Sequence, residues 1–280
     1  MSVPHLLRDV TARLAAANIP AAGADARRLV AHALGVEPDR LHWFRAAPSE
    51  AQLAMLEAAV TARLARQPVS QIVGWRDFWK HRFTVTRDTL DPRPETETLV
   101  ATALERPWQS VLDLGTGTGA ILLSLLAERP GTTGMGVDLS DTALEVAAEN
   151  AKRLQVEGAT FRSSDWFSNV AGQFDLIVSN PPYIAASEME GLSPEVLEWE
   201  PRHALTDEGD GLAAYRAIVA GAGTHLRADG WLMVEIGPTQ GQDVSDMMRQ
   251  ARFIGVDTLQ DLDGRDRVVL GQFPAENSQI

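Results

Sequence analysis

Residues 178–185 read VSNPPYIA. An apolar run is followed by an asparagine, two prolines and a tyrosine. Prolines cannot donate to a strand's hydrogen-bond ladder, and each fixes its own φ. Asn180 therefore stands at a strand end with a stiff backbone behind it. Such stiffness either makes a rigid loop or aims a functional group. A second candidate is DLGTGTG, Asp113 to Gly119. Glycines let the backbone come close to a ligand at the start of a helix, where free N–H groups and the helix dipole favour it. This makes Asp113, Gly115, Thr116, Gly117, Thr118 and Gly119 a nucleotide-type cradle, though the motif alone does not choose between NAD, FAD and S-adenosylmethionine. Asp138 lies about twenty residues beyond that turn, the offset at which a carboxylate meets ribose hydroxyls. As an acceptor it can take both hydroxyl protons; Ser140 or Asp141 can serve instead as cap of the next helix. In SSDWF, Asp165 can accept from an adenine amino group and Trp166 can cover a ring face. Ordinary core packing is the competing role for Trp166.

The elements around these residues are readable from periodicity. SVLDLG, TGMGVDLS, ATFRSSD and FDLIVSN read as strands, with AILLSLLAERP and TALEVAAENAKRL as helices between them. Further on, GLAAYRAIVAGAGTHL and DVSDMMRQA read as helices, and GWLMVEIG and DRVVLGQF as strands. Strands alternating with helices imply an α/β fold whose parallel sheet is covered on both faces. All the candidate residues follow strands, and in such sheets ligands bind outside the strands' carboxyl ends. Residues 1–68 read as a separate helical domain. Leu7, Val10 and Leu14 share one face, Gly35 suits a C-terminal cap, and Ser49 with Gln52 forms a capping-box pattern ahead of Leu53, Leu56, Val60 and Leu64. Residues 69–92 read as a linker with a short hairpin in GWRDFWKHRFTVTRD, and residues 93–280 as the α/β domain. Pro94, Glu95 and Glu97 suit a helix start. The acidic run at 188–200 reads as a solvated segment, long enough after NPPY for a substrate lid. The closing PAENSQI reads as a frayed end.

Composition narrows the partners. The formal net charge is −13, which opposes a broad phosphate-binding surface. Cysteine is absent, which removes disulfides, thiolate metal sites and a cysteine nucleophile. The six histidines show no metal-ligand spacing, and no metal is expected. No run approaches the roughly 18 apolar residues of a membrane span. MSVPHLLRDVTARL lacks the pattern of a secretion signal, so a cytoplasmic protein without membrane contact is expected.

DLGTGTG, VDLS and SNPPYI, in this order, resemble a Rossmann-like S-adenosylmethionine-dependent methyltransferase. Its NPPY type implies methylation of a nitrogen in a planar conjugated group: adenine N6, guanine N2 or a glutamine amide. PRPETE at 92–97, EPRHAL at 200–205, DGLAAYR at 210–216, EIG at 235–237 and DLDGRDRVVLG at 261–271 add to this. With DARRLVAHALG in the helical part, the chain resembles the bacterial release factor glutamine methyltransferases over nearly its whole length. Asp91 departs from the pattern, which has an apolar residue there. The resemblance implies a class I methyltransferase fold with a mostly parallel seven-stranded sheet, helices on both faces, and a small N-terminal helical domain that docks the substrate. It implies S-adenosylmethionine as methyl donor, with S-adenosylhomocysteine as product. The acceptor would be the GGQ glutamine N5 of class 1 peptide chain release factors. A ribosomal-protein glutamine and a nucleic-acid base are the alternatives; direct nucleic-acid binding is not expected, and the chain is expected to be a monomer. Asn180 would accept one amide proton through its side-chain carbonyl and Pro181 the other through its backbone carbonyl. Pro182 would complete that loop and Tyr183 would pack its ring on the flat amide.

Overall fold

The computed structural model describes residues 2–275, so most of the expected frayed end lies outside the described residues. The chain divides into two compact units. The first comprises Met1–Trp75 and Ser193–Trp199. It contains α1 (Val3–Ala16), α2 (Ala22–Leu34), α3 (Glu50–Leu64) and the short α4 (Val69–Val73). Leu6, Val10 and Leu14 form the buried stripe of α1, with Leu7 only partly buried, so the face is turned slightly from the expected one. Gly35 ends α2 at φ +69, in the left-handed region glycine tolerates best. The Ser49 hydroxyl accepts from Gln52 N at 3.2 Å, and Gln52 Oε1 accepts from Ser49 N at 2.9 Å, the expected capping box. The expected boundary at residue 68 falls inside this unit, because Val69, Val73, Ile72 and Trp75 pack into its core.

Ser193–Trp199 was read as part of a solvated acidic run, and that reading is corrected. Glu195 accepts from Arg63 at 3.0 Å and lies 3.3 Å from Arg66; Arg63 also holds Asp25 at 2.8 Å. The Trp199 indole donates to Ala65 O at 3.0 Å. Charge in sequence does not reveal solvation when the counter-charges lie about 130 positions away.

The second unit comprises Arg76–Leu192 and Glu200–Ile280. A hairpin, β1 (Trp75–Phe78) and β2 (His81–Thr84), leads to α5 (Glu97–Leu104). Then come β3 (Ser110–Leu114), α6 (Ala120–Glu128), β4 (Thr133–Asp138), α7 (Asp141–Leu154), β5 (Ala159–Ser163) and β6 (Phe174–Ser179). Past α8 (Pro194–Trp199) of the first unit follow α9 (Ala213–His225), β7 (Leu226–Glu235), α10 (Gly241–Gln250), β8 (Ile254–Gln260) and β9 (Asp266–Gln272). The main sheet has seven strands in the order β5-β4-β3-β6-β7-β9-β8. Strands β3 to β7 are parallel; β9 runs antiparallel to both β7 and β8.

Alternation along each strand builds the two cores. Val111, Leu176, Val178, Met233, Val268 and Leu270 face α5 and α6. Leu112, Leu114, Ile177, Leu232, Val234 and Val269 face α9 and α10. Two buried faces explain why FDLIVS reads as continuous apolar sequence. The order reverses between β3 and β6, and a crevice at that point is where open α/β sheets bind ligands.

Candidate active site

The glycine turn leaves the end of β3. Gly115 (φ +70) and Gly117 (φ +53) take left-handed conformations that other residues adopt at a cost. The N–H groups of Gly115 and Thr116 both donate to Val137 O, at 2.8 and 2.9 Å, which ties the turn to β4. Beneath it, fully buried Asp113 accepts from the Thr116 hydroxyl at 2.7 Å. Burial pushes its carboxyl up to about 7, against the pull of that hydroxyl. Asp113 was expected to touch a cofactor; the structure sets it behind the turn as a brace. Gly119 is also set back, where a Cβ would press on Leu123 and Ala147 at 3.1 and 3.2 Å. Buried Asn150 of α7 holds the turn from the side, donating to Thr118 O at 3.0 Å and accepting from Thr84 N at 2.8 Å.

Asp138 ends β4. Its Oδ2 accepts from Gly117 N at 2.9 Å and its Oδ1 from Ser140 N at 3.0 Å, so each oxygen keeps acceptor capacity. The cap of α7 is Ser140, whose hydroxyl accepts from Ala143 N at 3.2 Å, and Asp138 is free for another role. Trp166 sits at φ +47, unusual for a bulky residue, with its carbonyl held by the Ser164 hydroxyl at 2.8 Å. It packs partly on the core and partly lines the cavity, so both expected roles are combined. Asp165 beside it is exposed.

At the end of β6, Asn180 Nδ2 donates to the Thr96 hydroxyl at 3.2 Å. The rest of NPPY is clamped from other segments. Gln240 Nε2 donates to Tyr183 O at 2.9 Å and to Gly211 O at 3.2 Å, and Ile184 N donates to Leu205 O at 2.9 Å. Gly211 (φ +76) lets the chains approach, since a Cβ there would lie 2.4 Å from Tyr183 O. Buried Glu235 accepts from the Tyr183 hydroxyl at 3.4 Å, and burial pushes its carboxyl up to about 7.

These segments surround a cavity of about 160 Å³, open to solvent and lined by Gly115, Gly117, Asp138, Asp165, Trp166, Asn180 and Pro182. A smaller space of about 50 Å³ shares Gly115, Gly117 and Asn180 with it and adds Thr116, Thr118 and Arg93. The structure thus gathers nine of the expected site residues, Thr116 and Thr118 among them, around one crevice. Pro181 is buried and Tyr183 lines neither space, its hydroxyl being turned to Glu235.

Comparison with known proteins assigns the chain. Residues 5–74 match the PrmC N-terminal domain and residues 78–212 the methyltransferase small domain. The chain is 56% identical over 278 residues to the "Release factor glutamine methyltransferase" of Cereibacter sphaeroides, covering 98% of this chain and 100% of that one. The chain belongs to this family. The relative of the same name from Aliivibrio fischeri is 38% identical, with 99% of each chain covered. Among solved structures, a methyltransferase from Pyrococcus furiosus aligns with a TM-score of 0.53 at 16% identity, over 69% of this chain and 89% of that one. That likeness supports the class I methyltransferase fold of the sheet, and the family model over residues 5–74 supports the helical N-terminal domain.

The cavity of this methyltransferase also has residues that motif reading missed. Asp88, Thr89 and Leu90 line it ahead of PRPETE, and Leu139 lines it while 67% exposed. His203 and Ala204 line it from inside EPRHAL. Arg93 lines the smaller space and pairs with Glu200 at 2.6 Å, whereas Glu97 accepts from Trp79 N at 2.8 Å and braces the hairpin. Asp91 is buried in place of an apolar residue, with Arg76 3.9 Å away. Among the described residues no cluster of His, Asp and Glu is placed to hold a metal, and no helix is long and apolar enough to cross a membrane.

Proposed function

We propose that the chain transfers a methyl group from S-adenosylmethionine to the side-chain amide nitrogen of the GGQ glutamine in class 1 peptide chain release factors. The observation that carries the reading is Asn180. It stands in the wall shared by the two joined spaces, its NH₂ is engaged by Thr96, and its carbonyl oxygen is the group left to accept a proton from an incoming amide.

The residues fit the donor molecule. Asp138 keeps acceptor capacity for ribose hydroxyls; Leu139 and Trp166 offer apolar faces for a base, and Asp165 an acceptor at its edge. Arg93, Thr116 and Thr118 line the space suited to the amino-acid end. When bound, S-adenosylmethionine supplies a methyl group activated by a sulfonium.

What remains for the protein is to present a poor nucleophile. An amide nitrogen delocalises its lone pair into the carbonyl. Asn180 Oδ1 and the Pro181 carbonyl hold its two protons, which fixes the nitrogen's orientation and favours positive charge growing on it. Pro182 shapes the wall beside them, and Tyr183 supports the loop from behind. Positioning of this kind lowers barriers by up to roughly 7–11 kcal/mol. The nitrogen's surplus proton leaves to water, and no side chain is required as a base.

The test incubates the protein with labelled S-adenosylmethionine and a class 1 release factor, then repeats it with the GGQ glutamine changed to alanine. Label is expected on the first and absent from the second. Label retained on the altered factor refutes the assigned acceptor.

A further inference from the structure

The glutamate of EIG lies behind the crevice and the threonine of PRPETE lines its smaller space, neither with a part yet in the reaction. Glu235 is 1% exposed at the end of β7, and Thr96 is 4% exposed just before α5. We propose that Glu235 and Thr96 are positioning residues that set which way round the Asn180 carboxamide faces. The inference rests on the reading of Asn180 as the holder of the substrate amide.

The argument is one of donors and acceptors. An asparagine side chain has one end that accepts and one that donates, and the two are nearly the same shape. Only one orientation can receive an N–H from a glutamine amide. Asn180 Nδ2 donates to the Thr96 oxygen at 3.2 Å. A hydroxyl has a single proton, so a Thr96 oxygen that accepts from Asn180 must send its own proton elsewhere. Glu235 is the acceptor available. Its Oε1 takes the Tyr183 hydroxyl at 3.4 Å, while its buried Oε2 has no hydrogen-bond partner and is the acceptor left for the Thr96 proton. Burial is the strongest influence on this carboxyl and disfavours its charge; the Thr96 hydroxyl and then the Arg267 charge favour it, and Glu95 opposes them. Arg267 is itself anchored by Asp261 at 3.2 Å and donates to Ile236 O at 3.1 Å, which holds its charge beside Glu235.

Above about pH 7 Glu235 is ionised, and an ionised carboxylate only accepts. It therefore forces the Thr96 proton toward itself, the Thr96 oxygen toward Asn180 Nδ2, and Asn180 Oδ1 toward the crevice. Tyr183 donates to the same carboxylate, so one charge orders both functional ends of NPPY. Remove that acceptor and Thr96 is free to donate to Asn180. The carboxamide then turns and meets the substrate NH₂ with an NH₂ of its own.

The experiment compares Thr96→Val, Thr96→Ser and Glu235→Gln in the full chain. It measures methyl transfer to a class 1 release factor at saturating S-adenosylmethionine and, by calorimetry, affinity for S-adenosylhomocysteine. Thr96→Val and Glu235→Gln are each expected to lower kcat by about tenfold or more, as misorientation near a reacting centre does. Cofactor affinity should stay within about twofold, and Thr96→Ser should recover most of the rate. A Thr96→Val or Glu235→Gln enzyme with unchanged kcat overturns the inference. So does a loss of affinity equal to the loss of rate, which marks a purely structural role. Asn180→Ala separates the two levels. If it is impaired while Thr96→Val is not, only the orienting chain fails; if it keeps full turnover, the reading of Asn180 fails with it.

Discussion

The glycine turn after β3 and the NPPY loop after β6 lie side by side in the sheet and face one crevice, yet they are built by opposite means. The turn gains its shape from residues with excess freedom, Gly115 and Gly117, and its backbone is tied to β4 and α7 by Val137 O, Asp138 and Asn150, with Asp113 beneath it. The loop gains its shape from prolines with almost no freedom and is held from several segments: Thr96, Leu205, Gly211, Glu235 and Gln240. A backbone cradle binds a ligand by close approach of the main chain, whichever side chains surround it. A side chain that must present one particular atom needs every neighbouring donor and acceptor fixed. On the proposed reading affinity belongs to the turn and turnover to the loop, and that division can be broken in either region.

The largest effect is expected at Asn180. Asn180→Ala removes the acceptor and should lower kcat by about 10²–10³-fold, the scale for losing one group that stabilises a transition state. S-adenosylhomocysteine affinity by calorimetry should hold within a few-fold. Equal losses in both would move Asn180 into the cradle and erase the distinction.

Gly211→Ala attacks the loop through its supports. The new methyl would sit 2.4 Å from Tyr183 O at a φ of +76, so the backbones must separate. A cost of about 1–3 kcal/mol in unfolding free energy is expected from strain of this kind. Turnover should fall more than cofactor affinity. A variant as stable and active as the parent would show that the loop tolerates loosening.

Asp138→Ala tests the turn's side of the crevice. Hydrogen bonds to a charged acceptor contribute about 1.5–3 kcal/mol, which corresponds to roughly 10–100-fold in affinity for S-adenosylhomocysteine. At saturating methyl donor, kcat should be close to the parent's. A kcat that stays low at saturation would place Asp138 in the chemistry.

The same contrast explains what could be read from the sequence. The turn's motif is contiguous, so DLGTGTG and the spacing to Asp138 revealed it, and β6 carried the apolar run LIV. β8 escaped notice because it is an edge strand: Gly255 and Asp257 interrupt IGVDTLQ, and none of its seven residues is buried. The α8 segment was misread because Glu195 finds Arg63 and Arg66 far along the chain. Asp113 and Tyr183 were expected to touch a ligand, yet neither lines the crevice. Residue type and spacing do not distinguish a group that touches a ligand from one that holds its neighbour. Leu139 and Thr89 were missed because an apolar or hydroxyl side chain announces no chemistry.

The smallest of the expected effects concerns the carboxyl beneath the turn. Asp113 is held up at about 7 in the folded chain, from an ordinary value of 3.8, chiefly because burial disfavours its charge. The folded chain keeps this proton up to about pH 7, whereas the unfolded chain releases it near 3.8. Between those values the folded state binds more protons, so this group's contribution to stability declines as pH rises through the window. From pH 5.5 to 7.5 the decline should be about 1–2 kcal/mol. Glu235, also raised to about 7, acts in the same direction. His81, lowered by burial, acts in the opposite one. Asp113→Asn removes one titration and leaves the others, so the difference between parent and variant isolates it. Denaturant unfolding at several pH values should give a shallower decline for the variant. Parallel curves would mean that Asp113 is ionised in the fold throughout that range, its charge stabilised by the turn above it.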